Sequence, residues 1–164
     1  MYNMMRSILA ALSISSITTF GCAAIATDKN NQSKQFPQNL LAIVQILGNA
    51  GYRVYFSKPP VSGAYGATNA RKKTIWLAPI SVDMGIARQT LIHEAVHAAQ
   101  GCPNGRYEPI GWNVSLPKNI ETTIKQILYQ KYARKDYAVE KEAFYMQSHP
   151  EAFKKISAAL KQRC

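Results

Sequence analysis

Arg88-Gln-Thr-Leu-Ile-His93-Glu94-Ala-Val-His97-Ala-Ala-Gln100 is the stretch around which the rest of the chain is organised. Ile86, Leu91, Ile92, Ala95, Val96 and Ala99 recur at helical spacing, so the spacing predicts a helix over 84–100 with one buried side, capped by Ser81 or Asp83. On that helix His93 and His97 stand one turn apart on one face, where two neutral imidazole nitrogens can bind one Zn²⁺. Glu94 lies beside them rather than at the ligand position, and from there a carboxylate can take the proton of a zinc-activated water. The chain has 3 histidines in 164 residues, which makes their pairing around a glutamate informative. A purely structural role is disfavoured, because an unpartnered carboxylate buried with this much apolar surface is costly.

The N-terminus reads differently. A short basic head ending at Arg6 is followed by apolar or small residues from Ser7 to Phe20 and by Gly21-Cys-Ala-Ala-Ile-Ala26. That order predicts a secretory signal peptide over 1–26, cut after Ala24 or Ala26, with a flexible leader over 27–35 and one domain over 36–164. Lipid attachment at Cys22 is the rival, although Thr19 and Phe20 are poor lead-in residues for it. The expected location is periplasmic or extracellular. In an oxidising compartment Cys102 and Cys164 remain as an even pair, able to fasten the C-terminus to the segment after the histidine helix.

The formal net charge is +11, and all nine acidic residues lie beyond the signal. Lys and Arg cluster at Arg71-Lys72-Lys73 and at Lys131, Arg134 and Lys135, without the aromatic interleaving that stacks on bases. The charge therefore points to an anionic cell surface or wall polymer rather than to specific nucleic acid, and the expected state is a monomer.

Pro37 can open a first helix with an apolar face from Leu40 to Leu47. Strands are predicted over 52–57, 63–68 and 74–79, the last running along the cleft edge, where an extended peptide main chain could pair with it. From Gly101 to Leu116 the chain lacks periodicity and should wrap one rim, with Tyr107 and Trp112 as candidate substrate contacts. Helices follow over 119–133, from Tyr137 to Ser148, and from Pro150 onward. The expected class is α+β, a small and mostly antiparallel sheet packed on the N-terminal and histidine helices, followed by a helical part.

Two histidines leave a catalytic zinc site short of a ligand. The candidates are His149, Glu140, Glu142, Glu108 and Glu121. Glu140 shares a helix face with Ala143, whose small side chain allows close approach to the histidine helix, and it is the expected third ligand. Glu142 points roughly the other way, as a solvent-exposed carboxylate near Lys141 would. His149, before Pro150, suits a cap or a surface contact.

His93-Glu94-x-x-His97 followed by a helix bearing Glu140-x-x-Ala143 resembles the zincin metallopeptidases, in particular the small glutamate-ligand branch called gluzincins. The resemblance extends over about residues 52–149. It implies that His93, His97 and Glu140 hold one Zn²⁺ per chain and that Glu94 is the catalytic base. It also implies a Tyr or His donor for the oxyanion, for which Tyr132 and Tyr137 are the candidates. Phe144 stands where many members carry an acidic or amide residue bracing a ligand histidine, so Gln147 or a main-chain carbonyl would have to replace it. The expected function is peptide-bond hydrolysis by an exported zinc endopeptidase. The competing readings are a zinc amidase acting on cell-wall peptides, a non-catalytic metal- or surface-binding module, and a basic inhibitor or toxin without metal.

Overall fold

The computed structural model describes residues 25–26 and 36–164. The expected signal and leader lie outside the described residues apart from Ile25 and Ala26, and so does Cys22.

Pro37 precedes a 3₁₀ turn, Gln38–Leu40, that runs into helix α1 (Leu41–Asn49). Leu40, Ile43, Val44 and Leu47 bury its inner face. The chain then enters the sheet, which consists of β1 (Ile25–Ala26), β2 (Arg53–Tyr55), β3 (Gly66–Asn69) and β4 (Thr74–Leu77) in the order β1-β2-β4-β3.

The class is α+β, but the sheet is mixed rather than mostly antiparallel. β3 and β4 form an antiparallel hairpin, while β2 runs parallel to both β1 and β4. The cause is the connection over 56–65, which carries the chain past the place beside β2 to the far edge. The hairpin return then puts β4 in the middle, heading the same way as β2. The expectation that 74–79 is the open docking strand is corrected by this order: β4 is hydrogen-bonded on both sides, and the edge beside the histidine helix belongs to β3.

The predicted helix over 84–100 is present as α3 (Ala87–Gln100), starting three residues later than expected, and a separate short helix, α2 (Ile80–Asp83), precedes it. Gly85 lies between them with φ +68°, a left-handed conformation in which a helix cannot continue. Neither Ser81 nor Asp83 caps α3, whose first turn has no side-chain cap. Ser81 is buried and its hydroxyl donates to Ala78 O.

α3 is the centre of the core. Leu91, Ile92, Ala95, Val96, Ala98 and Ala99 are fully buried, and each large apolar side chain among them contributes about 1.5–3 kcal/mol. Beyond α3 come α4 (Lys118–Lys131), a 3₁₀ turn (Arg134–Asp136), α5 (Tyr137–Met146) and α6 (Ala152–Arg163). Ala143 is fully buried, and its small side chain lets α5 close against α3. Ile124, Leu128 and Tyr145 form a smaller second core between α4 and α5.

Cys102 and Cys164 are bridged across 62 residues, as the cysteine pairing predicted. The bridge ties the end of α6 to the end of α3, where Arg163 Nε also donates to Ala99 O at 3.0 Å. Among the described residues no helix is long and apolar enough to cross a membrane.

Candidate metal centre

His93, His97 and Glu140 come together as the spacing argument required, with one ligand atom from each lying within 4.8 Å of the others. The two imidazole Nε2 atoms are 3.1 Å apart. Glu140 Oε2 lies 3.3 Å from His93 Nε2 and 3.5 Å from His97 Nε2, in charge contact but out of line for hydrogen bonding. Among the described residues that buried oxygen has no hydrogen-bond partner.

The state of His97 follows from its neighbours. Gln100, fully buried on the next turn of α3, donates from Nε2 to Val139 O at 2.9 Å and to Glu142 Oε2 at 3.0 Å. Two acceptors on one side fix the amide, so its Oε1 must face His97 Nδ1, 2.7 Å away. Nδ1 therefore carries a hydrogen, so in the neutral ring Nε2 is the nitrogen left with a lone pair for a cation. Two imidazole nitrogens and a carboxylate oxygen lacking a donor form a set that fits a divalent cation.

The charges agree with that geometry. Burial by itself would raise the pKa of Glu140, but its contacts with His93 and His97 outweigh burial and hold it at about 2. It is thus an anion at any neutral pH. Burial disfavours the charged form of His97, yet the Glu140 and Glu94 carboxylates outweigh it and the net direction is upward. Negative charge in excess at three converging atoms is what a cation would neutralise.

Glu94 lies beside this group. It is 7% exposed, and its Oε2 accepts from Thr68 Oγ1 at 2.8 Å, so the buried carboxylate has its partner. The same hydroxyl also reaches Glu94 O at 2.9 Å, tying β3 to α3. Gly66 makes this crossing possible, because a Cβ there would lie 2.7 Å from Glu94 Cγ and from Thr90 Cγ2.

The second layer differs from the expectation. Phe144 braces no nitrogen; its ring packs edge-on against His93 with centroids 4.8 Å apart. Gln147 lines a neighbouring cavity, and the bracing group for His97 is Gln100, which sequence reasoning missed. Its signal was a polar residue one turn beyond His97 on an otherwise apolar helix side.

Glu142 corrects a second expectation. It is buried, not solvated, and its carboxylate accepts from Ile110 N (2.7 Å), Gly111 N (2.6 Å), Trp112 N (3.1 Å) and Gln100 Nε2. The aperiodic segment after α3 is thereby fastened to α5. Trp112 is held in this clamp and packs on the core rather than facing the cleft.

Two cavities flank the three ligand atoms. One, ≈ 440 Å³, is lined by Ala67, Thr68, Tyr107, Tyr132 and Asp136 together with His93, Glu94, His97 and Glu140. The other, ≈ 640 Å³, shares Ala64, Gly66, His93, Glu94 and Tyr132 with it and is otherwise lined by residues that include Tyr65, Ile86, Gln89, Lys131 and Phe144. Tyr132 lines both, and its phenol is pushed up to about 12 by burial and then by the Glu140 and Glu94 charges, so it keeps its proton. Tyr137 lines neither cavity and packs against the second core instead.

Tyr107 closes one end of the β3 edge. Its hydroxyl donates to Thr68 O at 2.6 Å and accepts from Ala70 N at 3.3 Å, and its ring meets that of His97 edge-on. Tyr65 O accepts from Ala78 N, so by alternation the main-chain groups of Gly66 and Thr68 face away from β4, toward the cleft. The other carboxylates considered as ligands lie elsewhere. Glu121 pairs with Lys125 on the surface of α4, Glu108 is exposed, and His149 Nδ1 accepts from Glu151 N at the start of α6.

No curated protein and no solved structure matches the chain. A family model does match residues 67–164, a range that holds His93, Glu94, His97, Gln100, Glu140, Glu142 and both bridged cysteines. The chain belongs to that family, described as Domain of unknown function (DUF8637).

Proposed function

We propose that this protein is an exported zinc-dependent endopeptidase of zincin type. The observation that carries the reading is one arrangement: two imidazole nitrogens and a carboxylate oxygen converge beside Glu94, beneath a strand edge that can receive a peptide main chain. His93, His97 and Glu140 would hold the metal. When bound, a zinc ion supplies Lewis-acid polarisation of an amide carbonyl and makes water more acidic.

The chain's own groups do the rest. An extended peptide pairs with the main chain of Gly66, which brings a scissile bond over Glu94. Glu94, oriented by Thr68, takes a proton as the water oxygen bonds to the carbonyl carbon. The same carboxyl delivers that proton to the nitrogen as the C–N bond breaks. Tyr132, protonated and facing the cleft, donates toward the carbonyl oxygen as charge develops there. The disulfide between Cys102 and Cys164 is compatible with the extracellular or periplasmic location that export requires.

The test compares the native protein with Glu94→Gln on a diverse peptide library, after zinc loading and metal analysis. Cleavage should fall by roughly 10²–10⁴-fold while near-stoichiometric zinc is kept. Equal cleavage by both proteins removes Glu94 as the base. Zinc bound without cleavage by either leaves the non-catalytic metal module as the correct reading. The net positive charge favours one further substrate, anionic cell-wall peptides, and purified wall fragments belong in the same assay.

A further inference from the structure

The two cavities differ in charge. Beside the metal-centre atoms, the smaller contains Asp136 as well as Glu94 and Glu140 and, among the described residues, no Lys or Arg. In the larger, among the described residues, Lys131 is the one Lys or Arg and Glu94 the one carboxylate. Its walls are apolar stems from Tyr65, Ile86, Tyr132 and Phe144, with the polar side chains of Gln89, Thr90 and Gln147 among them. Lys131 is exposed, and among the described residues it has no carboxylate partner; the nearby Arg134 and Lys135 are likewise exposed and unpaired. The nearest thing to a structural role for Lys131 is its place in the last turn of α4, where a cation is mildly favourable.

The strand order gives these charges a direction. A peptide pairing antiparallel to β3 runs from the Thr68 end toward the Gly66 end, so the residue after the cleaved bond falls over 63–66. All four residues of that segment line the larger cavity, whereas the smaller one shares only Ala64 and Gly66 with it. Tyr107 occupies the Thr68 carbonyl at the other end, leaving Gly66 as the pairing position nearest Glu94.

We propose, resting on the peptidase reading, that the larger cavity takes an acidic side chain, Asp or Glu, from the residue following the cleaved bond, and that Lys131 selects it. The aliphatic part of a glutamate fits between Ile86 and Phe144, and its carboxylate reaches the ammonium at the cavity mouth. The pair is partly solvated, so its contribution is modest and sensitive to salt.

The experiment profiles cleavage of a proteome-derived peptide library by the zinc-loaded full chain, by Lys131→Glu and by Lys131→Gln. It also measures kcat/KM on three synthetic peptides that differ only in Glu, Ala or Lys after the cleaved bond. Native protein should prefer Glu over Lys by about fivefold, less at high salt. Lys131→Gln should flatten the ratio and Lys131→Glu invert it, whereas a role confined to the α4 terminus would leave the ratio unmoved. Glu94-dependent cleavage with no acidic preference, or with a preference unchanged in both variants, overturns this inference and spares the peptidase reading. Absence of any Glu94-dependent cleavage overturns both.

Discussion

Behind His97, Gln100 and Glu142 have every polar atom matched, whereas in front of it Glu140 Oε2 lacks a hydrogen-bond donor and Asp136 and Lys131 face cavities without charge partners among the described residues. Glu140 and Glu142 make the contrast within one helix, two residues and a half-turn apart. Both are shielded carboxylates, and burial of a carboxylate is expensive unless it is satisfied. Glu142 is satisfied by the protein itself and is scaffold. Glu140 Oε2 has the two imidazoles beside it and no hydrogen-bond donor among the described residues, an arrangement that a bound cation would complete.

The largest expected effect breaks the rear wall. Glu142→Ala strands three main-chain N–H groups and the Gln100 amide, and should cost about 3–5 kcal/mol by denaturant unfolding, with or without zinc. Glu140→Gln should behave in the opposite sense. Its metal-free melting temperature should move less, while the rise in melting temperature that zinc gives the native protein should vanish. If Glu140→Gln keeps that rise, the front wall is not a metal site.

Removing the disulfide loosens the same rear wall from farther away. The closed loop spans 62 residues, for which the chain-entropy account gives about 4 kcal/mol as an upper value. Cys102→Ser with Cys164→Ser should therefore cost about 2–4 kcal/mol and leave the Glu94 dependence of any activity intact.

Gln100 joins the two walls, and Gln100→Leu tests the joint. The substitution leaves His97 Nδ1 without its acceptor and frees the imidazole to rotate. Zinc affinity, measured against a competing chelator, should fall by about 10–100-fold, with a loss of stability smaller than for Glu142→Ala. Unchanged zinc affinity would mean that the amide sets no tautomer.

How much of this was readable beforehand depended on distance along the chain. His93, Glu94 and His97 were legible because the helix repeat fixes their relation within five residues. Glu140 was legible because Ala143 marked the face able to approach α3. The disulfide followed from an even count of cysteines once the N-terminus was set aside. Glu142 was not legible, since its partners come from 110–112, an aperiodic loop whose path no local pattern encodes. The strand order was hidden for a related reason: β4 is recognisable as a strand from its own residues, but whether it is central or an edge is decided by where the 56–65 connection crosses. Gly85, by contrast, stood in plain view as a break in the predicted helix.

The smallest expected effect concerns Tyr107, the residue where the two walls meet. Its ring packs against His97 while its hydroxyl spans Thr68 O and Ala70 N on the β3 edge. Tyr107→Phe keeps the ring and removes one hydroxyl that serves as donor and acceptor, which should cost about 1 kcal/mol of stability and leave zinc affinity unchanged. On the proposed reading it also frees the Thr68 carbonyl, lengthening the edge on which a peptide can pair. Peptides extended on the amino side of the cleaved bond should then gain through a lower KM rather than a higher kcat, because the added pairing is remote from the reacting atoms and is made equally in the ground and transition states. A gain in kcat instead would place the Tyr107 hydroxyl among the groups that hold the reacting atoms, moving it from the satisfied wall to the other.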